Sequence, residues 1–298
     1  IPDLSYEEFL DFHRQYYHPS NSFIYLYGNM DMEEKLEFLD SHYLSAFDSL
    51  VIDSEIRDQE AFAQVKDIQK SYPVSEDEGE EDNTYLSYNM VVGEAADINL
   101  SLAFEVLDYA LLSAPGAPLK QALLDAKIGK DIYGSFEDGI KQTYFSIVAK
   151  GANLSRKEEF IKVIRDTLTK IAEEGIDKKA VTAGINYYEF RFREADFSSY
   201  PKGLMYGLDI LSSWLYDDTK PFCEVQLLEG FEFLKKALEE GYFEELIRKY
   251  LLGNTHGAIL SLVPEKGLAA KRDKELEEKL ENYRKRLSDE ELTRMVEN

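Results

Sequence analysis

The chain is poor in the residues that most often mark function. It has one cysteine, Cys223, so no internal disulfide can form, which accords with a reducing compartment. That thiol follows Phe222, has no base placed beside it by the sequence, and reads as a packed residue rather than a nucleophile. Basic residues are scarce beside acidic ones, 34 Lys and Arg against 58 Asp and Glu, for a formal charge of −24. The balance disfavours nucleic acid and anionic membrane as partners, because phosphate binding needs clustered Lys and Arg; it favours a cationic ligand. No run approaches the roughly 20 apolar residues of a membrane span. The first residues form neither the basic nor the apolar region of a secretory signal. Gly-x-Ser-x-Gly, Walker-type and Rossmann loops are absent, and Gly203 and Gly207 are spaced for close helix packing rather than phosphate binding. With 58 carboxylates some pair is always close in space, so paired-acid catalysis cannot be read from sequence.

What is present is a globular chain. Its 298 residues, 44% hydrophobic and 13% aromatic, suffice for one large or two ordinary cores. Ser5 and Glu8 make a capping box for a helix carrying Phe9, Phe12 and Tyr16. Pro19-Ser20-Asn21 turns the chain into an expected buried strand, Phe23 to Tyr27, which Gly28-Asn29 ends. Asp31 and Glu34 open a second helix with Leu36, Leu39 and Tyr43. Beginning at Ile1 with no initiator Met, this unit reads as the tail of a domain.

A linker over residues 48–63 leads to an outer strand from Gln64 to Val74, then a solvated acidic turn, "SEDEGEEDN", that lacks the ligand pattern of a calcium loop. Thr84 to Val92 reads as a strand, followed by a helix capped by Asp97 with Leu100, Phe104, Leu107 and Leu111 on one stripe. A short helix from Leu119 to Ala126 precedes two strands, Asp131 to Glu137 and Thr143 to Lys150, joined at Asp138-Gly139. Ser155 with Glu158, and then Asp177, open two long helices; a helix after Pro201, two more around Leu227–Leu238 and Tyr242–Leu252, and a strand from Gly257 that ends at Pro264 complete the order. The alternation predicts an α+β fold, a largely antiparallel sheet with helices packed on it. The charged tail carries Leu276, Leu280, Tyr283 and Leu287 at helical spacing, and Ser288 with Glu291 opens a last helix stopping at Asn298.

Several stretches together resemble the pitrilysin or insulinase-type (M16) zinc metallopeptidases, and among them the presequence-protease branch. The helix, the turn "YYHPSN" and the apolar stretch ending in Gly28 resemble the close of that family's first domain. "SYPKGLMYGLDILSSWLYDDTKPF" from Ser199, "TYFSIVAKGAN" from Thr143 and "LLGNTHGAILSLVPEKG" from Leu251 resemble segments of its second domain. The resemblance covers essentially the whole chain. It implies that residues 1–55 are the end of catalytic domain one plus a linker, 56–264 the non-catalytic second domain, and 265–298 the start of a helical hairpin arm.

The family's chemistry uses zinc held by His-x-x-Glu-His, with the intervening Glu as general base. The histidines His13, His18, His42 and His256 give no pair at that spacing, and His13 and His18 do not share a helix face. The resemblance therefore implies a non-catalytic piece, with no catalytic residue and no metal ligand of its own, of a parent whose zinc lies outside it. That parent degrades unfolded peptides, cationic ones suiting the acidic charge, inside a chamber built with the remaining domains of the parent chain. A bacterial-type, cytoplasmic parent is expected. Relatives of the insulinase type anchor substrate by β-augmentation on an edge strand of the second domain, and the matching positions are Tyr133, Gly134 and Ser135, the glycine allowing close backbone approach. The competing reading is a peptide-binding or scaffold module of a peptidase-like protein that has lost its metal site.

Overall fold

The computed structural model describes residues 4–297; Ile1 and Asn298, where the first and last readings fall, lie outside them. Alternation builds the sheet. β2 (Thr84–Glu94) buries Leu86, Tyr88, Met90 and Val92 and turns Tyr85, Ser87, Asn89 and Val91 to the opposite, half-open face. β4 (Gln142–Ala152) likewise buries Phe145, Ile147 and Ala149. With β1 (Lys66–Val74), β3 (Asp131–Glu137) and β5 (Gly257–Lys266) they form one sheet ordered β1-β5-β2-β4-β3. The pairing of β1 with β5 is parallel and the other three are antiparallel, as a largely antiparallel α+β fold requires.

Helices cover the buried face. Asp97 caps α3 (Ile98–Asp108), its carboxylate accepting the N–H of Leu100. The single apolar stripe expected there is too narrow: Leu102, Ala103 and Val106 are buried beside Leu100, Phe104 and Leu107. The cause is position, since α3 touches β3 on one side and α6 (Lys178–Glu194) and α8 (Leu228–Ala237) on the other. It runs on into a wider π-helical turn, Tyr109–Ser113, that buries Ala110, Leu111 and Leu112. Helices α4 (Pro118–Asp125), α5 (Lys157–Glu174) and α9 (Tyr242–Leu246) extend the same layer. The capping box expected from Ser155 and Glu158 does not form, because a 3-10 turn over Leu154–Arg156 displaces the helix start to Lys157. Gly175 ends α5 at φ 99°, which a residue with a Cβ rarely adopts.

Two strand readings also change. β5 passes through Pro264 to Lys266: beyond Leu262 it has left β2 and keeps only β1 as a neighbour, so the missing proline N–H breaks no two-sided ladder. Phe23 to Tyr27 has no regular secondary structure and pairs with no strand among the described residues, and Phe23, Ile24, Leu26 and Tyr27 stay at least partly exposed. This segment lies instead on α7 (Lys202–Trp214), with Tyr27 against Gly203, Tyr25 against Gly207, and Phe23 edge-on to Trp214 at 4.7 Å. The close packing read from those two glycines is thus made with tyrosine rings.

On either side of that segment, α1 (Tyr6–Tyr16) has its capping box and α2 (Met32–His42) is capped by Asp31. The linker then crosses the end of the sheet. Lys141 donates to the Ile56 carbonyl, Gln59 and Gln142 exchange two hydrogen bonds, and the Phe62 ring meets His256 edge-on at 4.9 Å. At the other end α10 (Leu268–Arg284) and α11 (Asp289–Glu297) are exposed, with Leu276, Leu280 and Tyr283 open to solvent.

Candidate functional site

The three residues singled out in the sequence lie together on β3, at the end of the sheet. One edge of β3 pairs with β4; no strand among the described residues lies on the other. Register places Tyr133 opposite Val148 and Ser135 opposite Ser146, so both side chains face away from the helices. Tyr133 is 41% exposed there. The row continues inward through a polar network: Ser146 donates to the Asn89 amide oxygen at 2.7 Å, and the Asn89 amide donates to Ser87 and to the Ala258 carbonyl. Asp131, which Lys120 approaches at 3.9 Å, begins the strand and Glu137 ends it.

Gly134 faces the other way, alternating with Ile132 and Phe136 on the helix side. A Cβ there would overlap Oδ1 of Asp108 and Cδ1 of Leu112. The glycine therefore makes room for the end of α3, a reason invisible in the local sequence. Asp108 Oδ1 is buried with no hydrogen-bond partner, while Oδ2 accepts from Ser113. Burial pushes the Asp108 carboxyl above its ordinary range against that hydrogen bond.

The histidines are dispersed in space as in sequence. His13 stacks on Tyr17, His18 Nδ1 accepts the Ser20 N–H, His42 sits against Phe38 and Ser41, and His256 lies under Phe62. Among the described residues no group of three or more His, Cys, Asp or Glu is arranged to hold a metal. Cys223 is half-buried, its thiol within hydrogen-bond reach of Ser213 Oγ and the Lys220 carbonyl. No helix among the described residues is long and apolar enough to cross a membrane.

One cluster escaped the sequence. Glu105, Asp138, Asp209 and Glu224 converge on a cavity of about 320 Å³ between α3, α6 and α7. Burial, then the charges of Asp138 and Glu224, push Glu105 up to about 8. Burial, then Asp138 and Asp209, push Glu224 up to about 7. Nothing at those four scattered positions signals their meeting.

Comparison with known proteins fits this fold. Residues 3–188 match the family model described as the peptidase M16 inactive domain. The chain is 45% identical over its full length to "Protein HypA" of Clostridium perfringens, covering 30% of that protein. It is 34% identical to "Presequence protease 1, chloroplastic/mitochondrial" of Arabidopsis thaliana, over 99% of this chain and 28% of that one. A protease from Helicobacter pylori shares the fold with a TM-score of 0.65 at 16% identity, covering 88% of this chain and 60% of that one. A peptidase M16 inactive domain from Pseudomonas fluorescens superposes with a TM-score of 0.62 at 15% identity, over 89% and 58%. The chain thus spans less than a third of the two curated relatives named. Its sequence and its fold agree, and the chain belongs to the M16 peptidase family, matching the region described as the inactive domain.

Proposed function

We propose that this chain is the non-catalytic part of a zinc-dependent metalloendopeptidase that degrades unfolded peptides in an enclosed chamber. Residues 1–55 close the catalytic domain and link onward, 56–264 form the second domain and chamber wall, and 265–298 begin a helical arm. The match to the inactive-domain model and the relatives named presequence proteases support this reading. Exposed Phe9, Phe12, Leu36 and Phe38 on α1 and α2 support packing of that region against further parts of the parent chain. In this reading the parent's zinc and its chemistry lie outside this chain, which the match to the inactive-domain model supports. A reducing, cytoplasmic setting agrees with the single free cysteine.

Within the chamber, β3 anchors the peptide by adding it as a further strand at Tyr133, Gly134 and Ser135. The observation that carries this is the edge of β3 without a strand partner among the described residues, with Tyr133 exposed beside it. The acids at both ends of the strand favour cationic peptides. In the full-length parent, Tyr133→Ala removes a cross-strand contact of roughly 1 kcal/mol. The Michaelis constant for long peptides should rise about fivefold with kcat unchanged. Unchanged kinetics on such peptides would sink the anchor.

A further inference from the structure

The cavity that gathers Glu105, Asp138, Asp209 and Glu224 is also a seam. On one side stand α3 with Glu105, the β3–β4 loop with Asp138, and α6 with Arg191. On the other stand α7 with Asp209 and the 3-10 turn Cys223–Val225 with Glu224. The outer side of α7 carries the N-terminal segment through Tyr25, Tyr27 and the Phe23–Trp214 contact. Its buried residues are few: Gly207, Ile210 and Ser213. The loop that joins it to α6 holds Ala195 at φ 46° and Ser198 at φ 55°, left-handed conformations that cost non-glycine residues energy and that a moving hinge could relax.

The seam is short of cations. Arg191 is the one Lys or Arg among its lining residues, and its guanidinium is shared with the face of Tyr187 at 5.7 Å. Glu105, Asp209 and Glu224 have no hydrogen-bond or ion-pair partner among the described residues. Around them the facing groups add mostly negative charge: Asp108 on α3, Glu137 beside Asp138, and Asp196 in the α6–α7 loop. Tyr188 and Tyr206 also line the cavity, and burial holds the Tyr188 phenol far above its ordinary value, hence neutral throughout the range considered. Four carboxyls from both sides of a cleft cannot all ionise without repelling one another across it.

We propose that this cavity is a charge-operated hinge: ionisation of its carboxyls drives α7, and the N-terminal segment packed on it, away from α3 and α6, and protonation closes the seam. Burial raises all four groups, so the closed state holds protons that the open state releases. Closure is therefore complete below the ordinary carboxyl range, weakens as pH rises through it, and levels off above about 8, where Glu105 has ionised even when closed. Arg191 works against this by favouring ionised Glu105; the neighbouring acids work with it. The hinge does not depend on the peptidase reading.

Hydrogen exchange on the whole chain tests it, with protection corrected for the intrinsic rate at each pH. Between pH 6 and pH 8, protection of residues 202–227 should fall by about tenfold or more relative to β2 and β4, since each carboxyl contributes up to about tenfold per pH unit. In Glu224→Gln, which stays neutral, the fall should shrink. The hinge is overturned if residues 202–227 keep their protection, if β2 and β4 lose theirs in step, or if folded Glu224→Gln shows the wild-type fall. The wild-type comparison decides even where the variant fails to fold.

Discussion

The ring of Tyr25 packs against the bare face of Gly207: a Cβ on that glycine would sit 2.9 Å from the ring. One turn earlier, Gly203 gives the same room to Tyr27. Two glycines four apart on α7 thus accept two tyrosines two apart on the N-terminal segment. Gly207→Ala should destabilise the N-terminal segment by about 1–3 kcal/mol through overpacking. Chemical denaturation measures the loss, and limited proteolysis should show earlier cleavage within residues 4–50. In a double-mutant cycle, Tyr25→Ala should recover part of the loss, because the two changes act on one contact.

Gly134→Ala should weaken the fold rather than peptide binding as such. Its Cβ would overlap Asp108 and Leu112, which sit at the packed end of α3. A loss of about 1–3 kcal/mol in thermal or denaturant unfolding is expected. The Asp108→Ala background should reduce it. Tyr133, on the outer face, is the informative position for kinetics, and Gly134 is not.

Glu105→Gln should raise the melting temperature at pH 8.5 and leave it nearly unchanged at pH 5. The wild-type carboxyl, pushed up to about 8, stabilises the fold below the ordinary carboxyl range and progressively less as pH climbs to that value. Gln removes the ionisation and with it the alkaline loss. A difference of about 2–4 °C at the higher pH, read by calorimetry, corresponds to roughly 1 kcal/mol.

Metal analysis of the purified chain after dialysis should find zinc far below one per molecule, since the described residues form no ligand set. One tightly held zinc per chain would contradict the proposed division of labour with the parent.

The sheet was legible because its central strand carries its own pattern. In β2 the buried Leu86, Tyr88, Met90 and Val92 alternate strictly with half-exposed neighbours. α3 was legible as a helix but not in its full burial, because packing against β3, α6 and α8 is a tertiary fact. Phe23 to Tyr27 has the composition of a strand, yet a strand needs a neighbour to bond to, and composition does not supply one. The edge position of Tyr133 and Ser135 followed from the resemblance; the reason for Gly134 lay in Asp108, in another element. The acidic seam was unreadable for the same cause: Glu105, Asp138, Asp209 and Glu224 come from four separate elements, and only packing brings them together.

The place of β5 has a consequence for how the chain folds. This strand comes last in sequence among the five but sits second in the sheet, between β1 and β2. β1, made nearly two hundred residues earlier, has no other strand partner among the described residues; Lys66 pairs with Ala258 and Val74 with Lys266. On a ribosome, β2, β3 and β4 can associate as they emerge, whereas β1 must wait, unpaired, until β5 has been synthesised. Its lysines, Lys66 and Lys70, and its Pro73 are the features that keep a waiting strand from joining the wrong neighbour. The last strand to arrive closes the sheet.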